Sequence, residues 1–199
     1  MWLQAVSLIA FSQRRQLHFA HISNRSGLSE RNVNAIFQDS RGFMWIATRD
    51  GLNRYDGYQI KVFQNNHEDS STISSNYISH LAEDKKGNIW IATVGGGLNK
   101  FDPKTNRFSH YFHDDKNSKS IASNFIDRIV IDDHDKIWVA TQNDGLDLFD
   151  PILNQALHYR THKSDAHSIS GNSRNLANPI SGLKYPSTGE VLFLAIVVQ

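Results

Sequence analysis

The chain has no cysteine. That excludes disulfides and thiolate metal sites, and it leaves the compartment open. It has no excess of charge of one sign: 21 Lys and Arg stand against 20 Asp and Glu. Nothing is in surplus to neutralise phosphates, which argues against a nucleic-acid or anionic-membrane surface. It has no apolar run near the ~20 residues that a bilayer-spanning helix needs. Proline is scarce, at 4 of 199 residues. No Ser-His-Asp set or carboxylate pair stands out as a singular constellation, so no catalytic residue is assigned.

What the chain does have is one phrase written three times. It reads Asp39-Ser-Arg-Gly-Phe-Met-Trp45-Ile-Ala-Thr, Asp84-Lys-Lys-Gly-Asn-Ile-Trp90-Ile-Ala-Thr and Asp132-Asp-His-Asp-Lys-Ile-Trp138-Val-Ala-Thr. Each copy continues into Gly-Leu and an aromatic-Asp pair: Tyr55-Asp56, Phe101-Asp102, Phe149-Asp150. The tryptophans are 45 and 48 residues apart. Self-similarity at that period predicts a stacked repeat architecture.

Each copy predicts four short strands, β-branched or aromatic and separated by turn signals. The first strands begin at Val33, Ile78 and Ile126, and the second carry the tryptophans. The third begin at Leu52, Leu98 and Leu146; the fourth are 59–63, 108–112 and 156–159. Asp39 with Gly42, and Asp84 with Gly87, are the first and fourth residues of type I turns. In the third copy Asp135 takes the glycine's place after Asp132. Asp50-Gly51, Gly96-Gly97 and Asp144-Gly145 close the second hairpins.

The register divides the chain. Residues 1–15 read as a leader or a truncated signal peptide, for the usual positive segment does not precede the apolar stretch. Residues 16–23 read as an outer strand of a preceding or closing blade. The repeats are 24–66, 67–114 and 115–162, and 163–199 reads as a degenerate or truncated fourth. The expected fold is all-β, a partial propeller of about three four-stranded blades plus incomplete terminal strands. Three blades cannot close a ring, for which roughly four to eight are typical. The isolated chain is therefore expected to be marginal, aggregating or oligomeric.

These phrases resemble the two-component regulator propeller repeat. Gly27-Leu28-Ser29, Val33, Ile36, Asp39, Gly42, Trp45-Ile46-Ala47-Thr48, Gly51-Leu52 and Tyr55-Asp56 follow that pattern, with Ala47, Ala92 and Ala140 where the family usually has Gly. The Trp is not followed by Asp, as in WD40 repeats, and the double glycine of kelch repeats is not repeated. The resemblance implies a periplasmic sensor region of a hybrid histidine kinase or diguanylate cyclase. No kinase or cyclase signature is present, so the output domain is expected outside this sequence. The implied function is non-catalytic sensing of an extracellular small molecule or carbohydrate. The implied partners are the remaining blades of a longer array, or self-association. The alternatives are a propeller-type carbohydrate-active enzyme, a protein-interaction scaffold or a non-functional gene fragment.

The repeated residues have a structural reading first. Trp45, Trp90 and Trp138 could stack on sugars, but a repeated position on a second strand favours packing between blades. The cluster 132–135 comes nearest to a calcium loop, yet turn chemistry accounts for it. His158 and His162 have a ligand-like spacing but fall on a strand edge and loop, so no metal and no cofactor are expected. The triple glycine at 95–97 is not followed by a helix, so it is no phosphate cradle. The candidate ligand positions are those that vary in a fixed frame: Arg49, Asp50, Gln142 and Asn143, on the hairpin rim.

Overall fold

The alternating apolar positions and Asp-Gly punctuation of each copy fold it into an antiparallel meander. A computed structural model of the chain describes residues 22–161 and 168–169. The first sheet holds β1 (Val33–Gln38), β2 (Met44–Thr48), β3 (Leu52–Tyr55) and β4 (Ile60–Phe63). The second holds β5 (Ile78–Glu83), β6 (Ile89–Thr93), β7 (Leu98–Asp102) and β8 (Arg107–Tyr111). The third holds β9 (Ile126–Ile131), β10 (Ile137–Thr141), β11 (Leu146–Asp150) and β12 (Gln155–Tyr159). Each is a propeller blade, strands in chain order. The only helix among the described residues is one 3-10 turn, Asn24–Ser26. Gln59 and Phe112, expected at the ends of fourth strands, lie just outside β4 and β8. The leader, most of the expected strand at 16–23 and nearly all of 163–199 fall outside the described residues; Ile22 and Ser23 are loop.

The Asp turns form as their residue types require. The backbone N–H of Gly42, Gly87 and Asp135 donates to the carbonyl of Asp39, Asp84 and Asp132, at 2.9, 2.9 and 3.1 Å. All three closing residues take positive φ, 90°, 80° and 58°, which Gly adopts freely and Asp at modest cost. The Asp side chains satisfy two further amides. Asp39 Oδ1 accepts from the N–H of Arg41 and Phe43, Asp84 from Lys86 and Asn88, and Asp132 from His134 and Lys136.

The blades pack face to face. Between the first two lie Trp45, Leu52 and Phe63 from one side and Ile78, Leu81, Ile91, Phe101 and Phe108 from the other. Trp45 meets Phe101 edge-on, with ring centroids 5.4 Å apart. Between the second and third, Trp90 meets Phe149 in the same manner at 6.4 Å. Ile73 and Ile121, from the connections between blades, are inserted into these cores and are essentially fully buried. Burying each such side chain contributes about 1.5–3 kcal/mol.

The first strands carry a feature with no simple sequence signal. The ladder skips one residue in each, at Asn34, Ser79 and Asp127. Such a bulge turns a side chain out of the ladder. Asn34 Nδ2 donates to Ile78 O at 2.6 Å, and Ser79 Oγ to Ile126 O at 2.7 Å. These bonds tie the innermost strand of one blade to that of the next.

Candidate functional site

The hairpin tips between second and third strands form one rim. A threonine organises each tip. Thr48, Thr93 and Thr141 are buried, and each Oγ1 donates to the carbonyl of Gly51, Gly97 or Gly145 at 2.7–2.8 Å. The tips then bond to the segments that lead into the next blade, as from Gly51 to Asn76 and from Gly97 to Asn124, or into their own blade. Gly51 N–H donates to Asn76 O at 2.8 Å, Val94 N–H to Tyr77 O at 2.9 Å, and Gln142 N–H to Phe125 O at 2.9 Å. The rim is thus a continuous hydrogen-bonded strip.

The candidate rim residues do not share one environment. Arg49 is exposed; its guanidinium lies 5.4 Å from the Tyr77 ring centroid, and its backbone N–H donates to Glu30 Oε2 at 3.1 Å. Asp50 is exposed and is held by Gln64 Nε2. Asn143 is exposed, whereas Gln142 is buried beneath the rim. The strip brings the tips together in series, so Arg49–Asp50 and Gln142–Asn143 belong to blades with the second blade's tip between them. Two aromatic residues were missed by the sequence reading. Tyr77 and Phe125 stand immediately before β5 and β9, and Phe125 is 51% exposed. Their common place before an apolar first strand was the available signal.

The repeated acids are structural. Beyond its turn, Asp39 Oδ2 accepts the indole N–H of Trp45 at 2.9 Å, and Asp84 Oδ2 accepts that of Trp90 at 2.9 Å. Arg41 also pairs with Asp39 at 2.7 Å. Burial pushes the Asp39 carboxyl up, but the bonds from Trp45, Arg41 and Phe43 outweigh it and hold the group below its ordinary value. Trp45 and Trp90 are buried in the inter-blade cores, while Trp138 is half-buried.

A second polar column lies under the connections. Asn53 and Asn99 are fully buried. Each closes a reciprocal pair with a serine of the segment leading into its own blade. Ser29 N–H donates to Asn53 Oδ1 at 2.9 Å, and Ser74 N–H to Asn99 Oδ1 at 3.0 Å. Asn53 Nδ2 and Asn99 Nδ2 return bonds to the serine hydroxyls at 2.9 and 2.7 Å. In the third blade the column changes to Ala122 and Asp147. Asp147 Oδ2 accepts the Ala122 N–H at 2.6 Å, and Oδ1 lies 2.6 Å from His158 Nδ1. Burial raises the Asp147 carboxyl, against the bonds from His158 and Ala122.

Several of the described histidines are engaged by backbone carbonyls or by burial. His110 Nε2 lies 2.7 Å from Thr72 O, and His113 Nδ1 lies 2.8 Å from Ile121 O. His80, on β5, is held neutral: burial, with Arg128 nearby, lowers its pKa to about 4. His158 sits on β12, and His162 is outside the described residues. Among the described residues, no three His, Asp or Glu side chains gather as a metal site. Asp132 is engaged in its turn, and Asp135 Oδ1 accepts the Lys85 backbone N–H.

Comparison with known proteins agrees with this frame. The profile of the two component regulator propeller matches residues 27–50 and 72–95. Histidine kinase P4 of Formosa agariphila is 44% identical over 70 residues, which are 35% of this chain and 5% of that kinase. The extracellular domain of a hybrid two-component system of B. thetaiotaomicron superposes with a TM-score of 0.70 at 28% identity, over 77% of this chain and 21% of that one. A second such domain from B. thetaiotaomicron gives 0.56 at 25% identity, over 66% and 19%. The chain therefore spans about a fifth or less of the relatives it matches. Two segments of this chain thus match the two component regulator propeller repeat, and its blades are similar in fold to the extracellular domains of hybrid two-component systems.

Proposed function

We propose that the chain is a stretch of the non-catalytic sensor propeller of a hybrid two-component receptor, placed in the periplasm and facing an extracellular small molecule or carbohydrate. The observation that carries this reading is how the repeated polar residues are used. Asp39, Asp84, Thr48, Thr93, Asn53 and Asn99 all spend their hydrogen bonds on turns, tips and connections. Catalysis needs acids and bases free to meet a substrate, and these are occupied. Similarity to extracellular domains of hybrid two-component systems supports the same reading.

Recognition falls to the rim, where the frame varies between copies. An exposed aromatic ring beside polar tips offers an apolar face and hydrogen-bonding groups together, as small-ligand sites commonly do. Arg49, Asp50, Tyr77, Phe125 and Asn143 supply these. Gln142, buried beneath them, would support the tip. Further blades docked on the outer faces of the first and third blades would continue the array, with the signalling output beyond it.

Isothermal titration against a panel of oligosaccharides and small metabolites tests the proposal. For a ligand that binds, Phe125→Ala and Arg49→Ala should each weaken affinity by about tenfold or more. Ile152→Ser, at the opposite end of the third blade, should leave it unchanged. No binding across the panel, or loss of binding only with Ile152→Ser, would contradict a rim site.

A further inference from the structure

The two connections between blades do the same structural work with different chemistry. In the first, residues 64–77, the anchors are neutral amides. Asn65 Nδ2 donates to Ile73 O at 2.7 Å, and Asn99 clasps Ser74. In the second, residues 112–125, ionisable groups stand in both places. His113 takes the place of Asn65: its backbone N–H donates to Asn124 Oδ1, as that of Asn65 does to Asn76 Oδ1, and its Nδ1 faces Ile121 O. Asp147 takes the place of Asn99 and binds the Ala122 N–H.

Two imidazoles, His113 of the second connection and His158 of β12 packed against it, each lie between two acceptors. His113 has Ile121 O at 2.8 Å and Asp115 Oδ1 at 2.9 Å. His158 has Asp147 Oδ1 at 2.6 Å and Ser118 O at 2.9 Å. Only an imidazolium carries two N–H donors; a neutral ring must leave a lone pair facing one acceptor. We propose that the connection 112–125 is a proton-operated latch between the second and third blades, closed when His113 is protonated and loosened when it loses its proton.

The surrounding charges favour the closed form. His113 faces Asp115 on its own segment and Asp144 on the hairpin between β10 and β11. Its bonds to Ile121 and Asp115 raise its pKa. A base with a raised folded-state pKa contributes stability at lower pH and loses it as pH rises through that pKa. Asp147, beside His158 and Arg160, has its carboxyl raised by burial, so its ionised form is the costlier one and the sign is the same. Among the described residues, the first connection shows one histidine contact, His110 Nε2 to Thr72 O, and no carboxylate–imidazole pair.

Hydrogen exchange of the full chain, corrected for intrinsic rates, at pH 5.5 to 8.5 tests the latch. Protection of segment 112–125 should fall about fivefold more than that of 64–77 over this range, the effect of one lost donor. The double variant His113→Asn with Asp147→Asn imports the amide chemistry of the first connection. It should make the two segments respond alike. Equal pH dependence of both segments in the unaltered chain would overturn the latch, whether or not the variant folds. So would the full wild-type difference persisting in a folded double variant.

Discussion

Trp45 and Trp138 occupy the same place in the repeat and differ in what lies beyond them. Trp45 is fully buried, stacked on Phe63 of its own blade and edge-on to Phe101 of the next. Trp138 keeps the own-blade contact, with Tyr159 at 5.5 Å, and is half-buried. The opposite face shows the same contrast. Ile78 and Leu81, or Ile126 and Ile129, are buried against a preceding blade, whereas the matching Val33 and Ile36 are 39% and 62% exposed. The same letters are core in one copy and surface in another, so burial here is a property of the stack, not of the repeat alone.

The third blade's outer face also differs in composition. Where the first blade lays Arg54 and Lys61 over Trp45 and Phe63, and the second lays Lys100 over Trp90, the third has Leu148 and Leu157. Leu157 is 56% exposed. The bulge residue changes too: Asn34 and Ser79 donate to the next blade, but an ionised Asp127 can only accept. A blade docking there would have to present a donor.

The largest test of this contrast is truncation of the tryptophans. Trp45→Ala should cost about 3–5 kcal/mol in denaturant unfolding, and Trp138→Ala less than about half of that. Equal losses would break the comparison. Next, Leu81→Ala should cost about 2–5 kcal/mol, whereas Ile36→Ala should stay within about 0.5 kcal/mol. A smaller effect, about 1–3 kcal/mol, is expected for Asn99→Ala, which strips the Ser74 amide of its acceptor. The smallest is a pH effect at the Asp39 turn. Its carboxyl is held low in the fold, so its contribution is present above the ordinary carboxylate range and lost as pH falls through the folded-state value. Acid unfolding of Asp39→Asn should be correspondingly less steep.

Much of the frame was legible because its causes are local. Asp39 to Gly42 is four residues, and the turn follows from their backbone preferences. First strands such as Val33–Gln38 follow from β-branched patterning between turn signals. The clasps were not legible, because Asn53 meets Ser29 across 24 residues of chain and nothing nearby marks either residue. Read as columns, Ser29, Ser74 and Ala122 against Asn53, Asn99 and Asp147 held a signal. The Asp39–Trp45 bond was hidden similarly, since turn chemistry already explained the aspartate. Gln142 lies in the tip between β10 and β11, and strand register does not show that it is buried there.

Fluorescence quenching by acrylamide, on variants that have Phe in place of Trp2 and each retain one of Trp45, Trp90 and Trp138 with Phe at the other two, tests the stack most directly. The account predicts that Trp45 and Trp90 are shielded and that Trp138 is quenched several-fold more readily in the monomeric chain. Equal shielding of all three in the monomer would contradict it, for the third blade's outer face would then be covered within the chain itself.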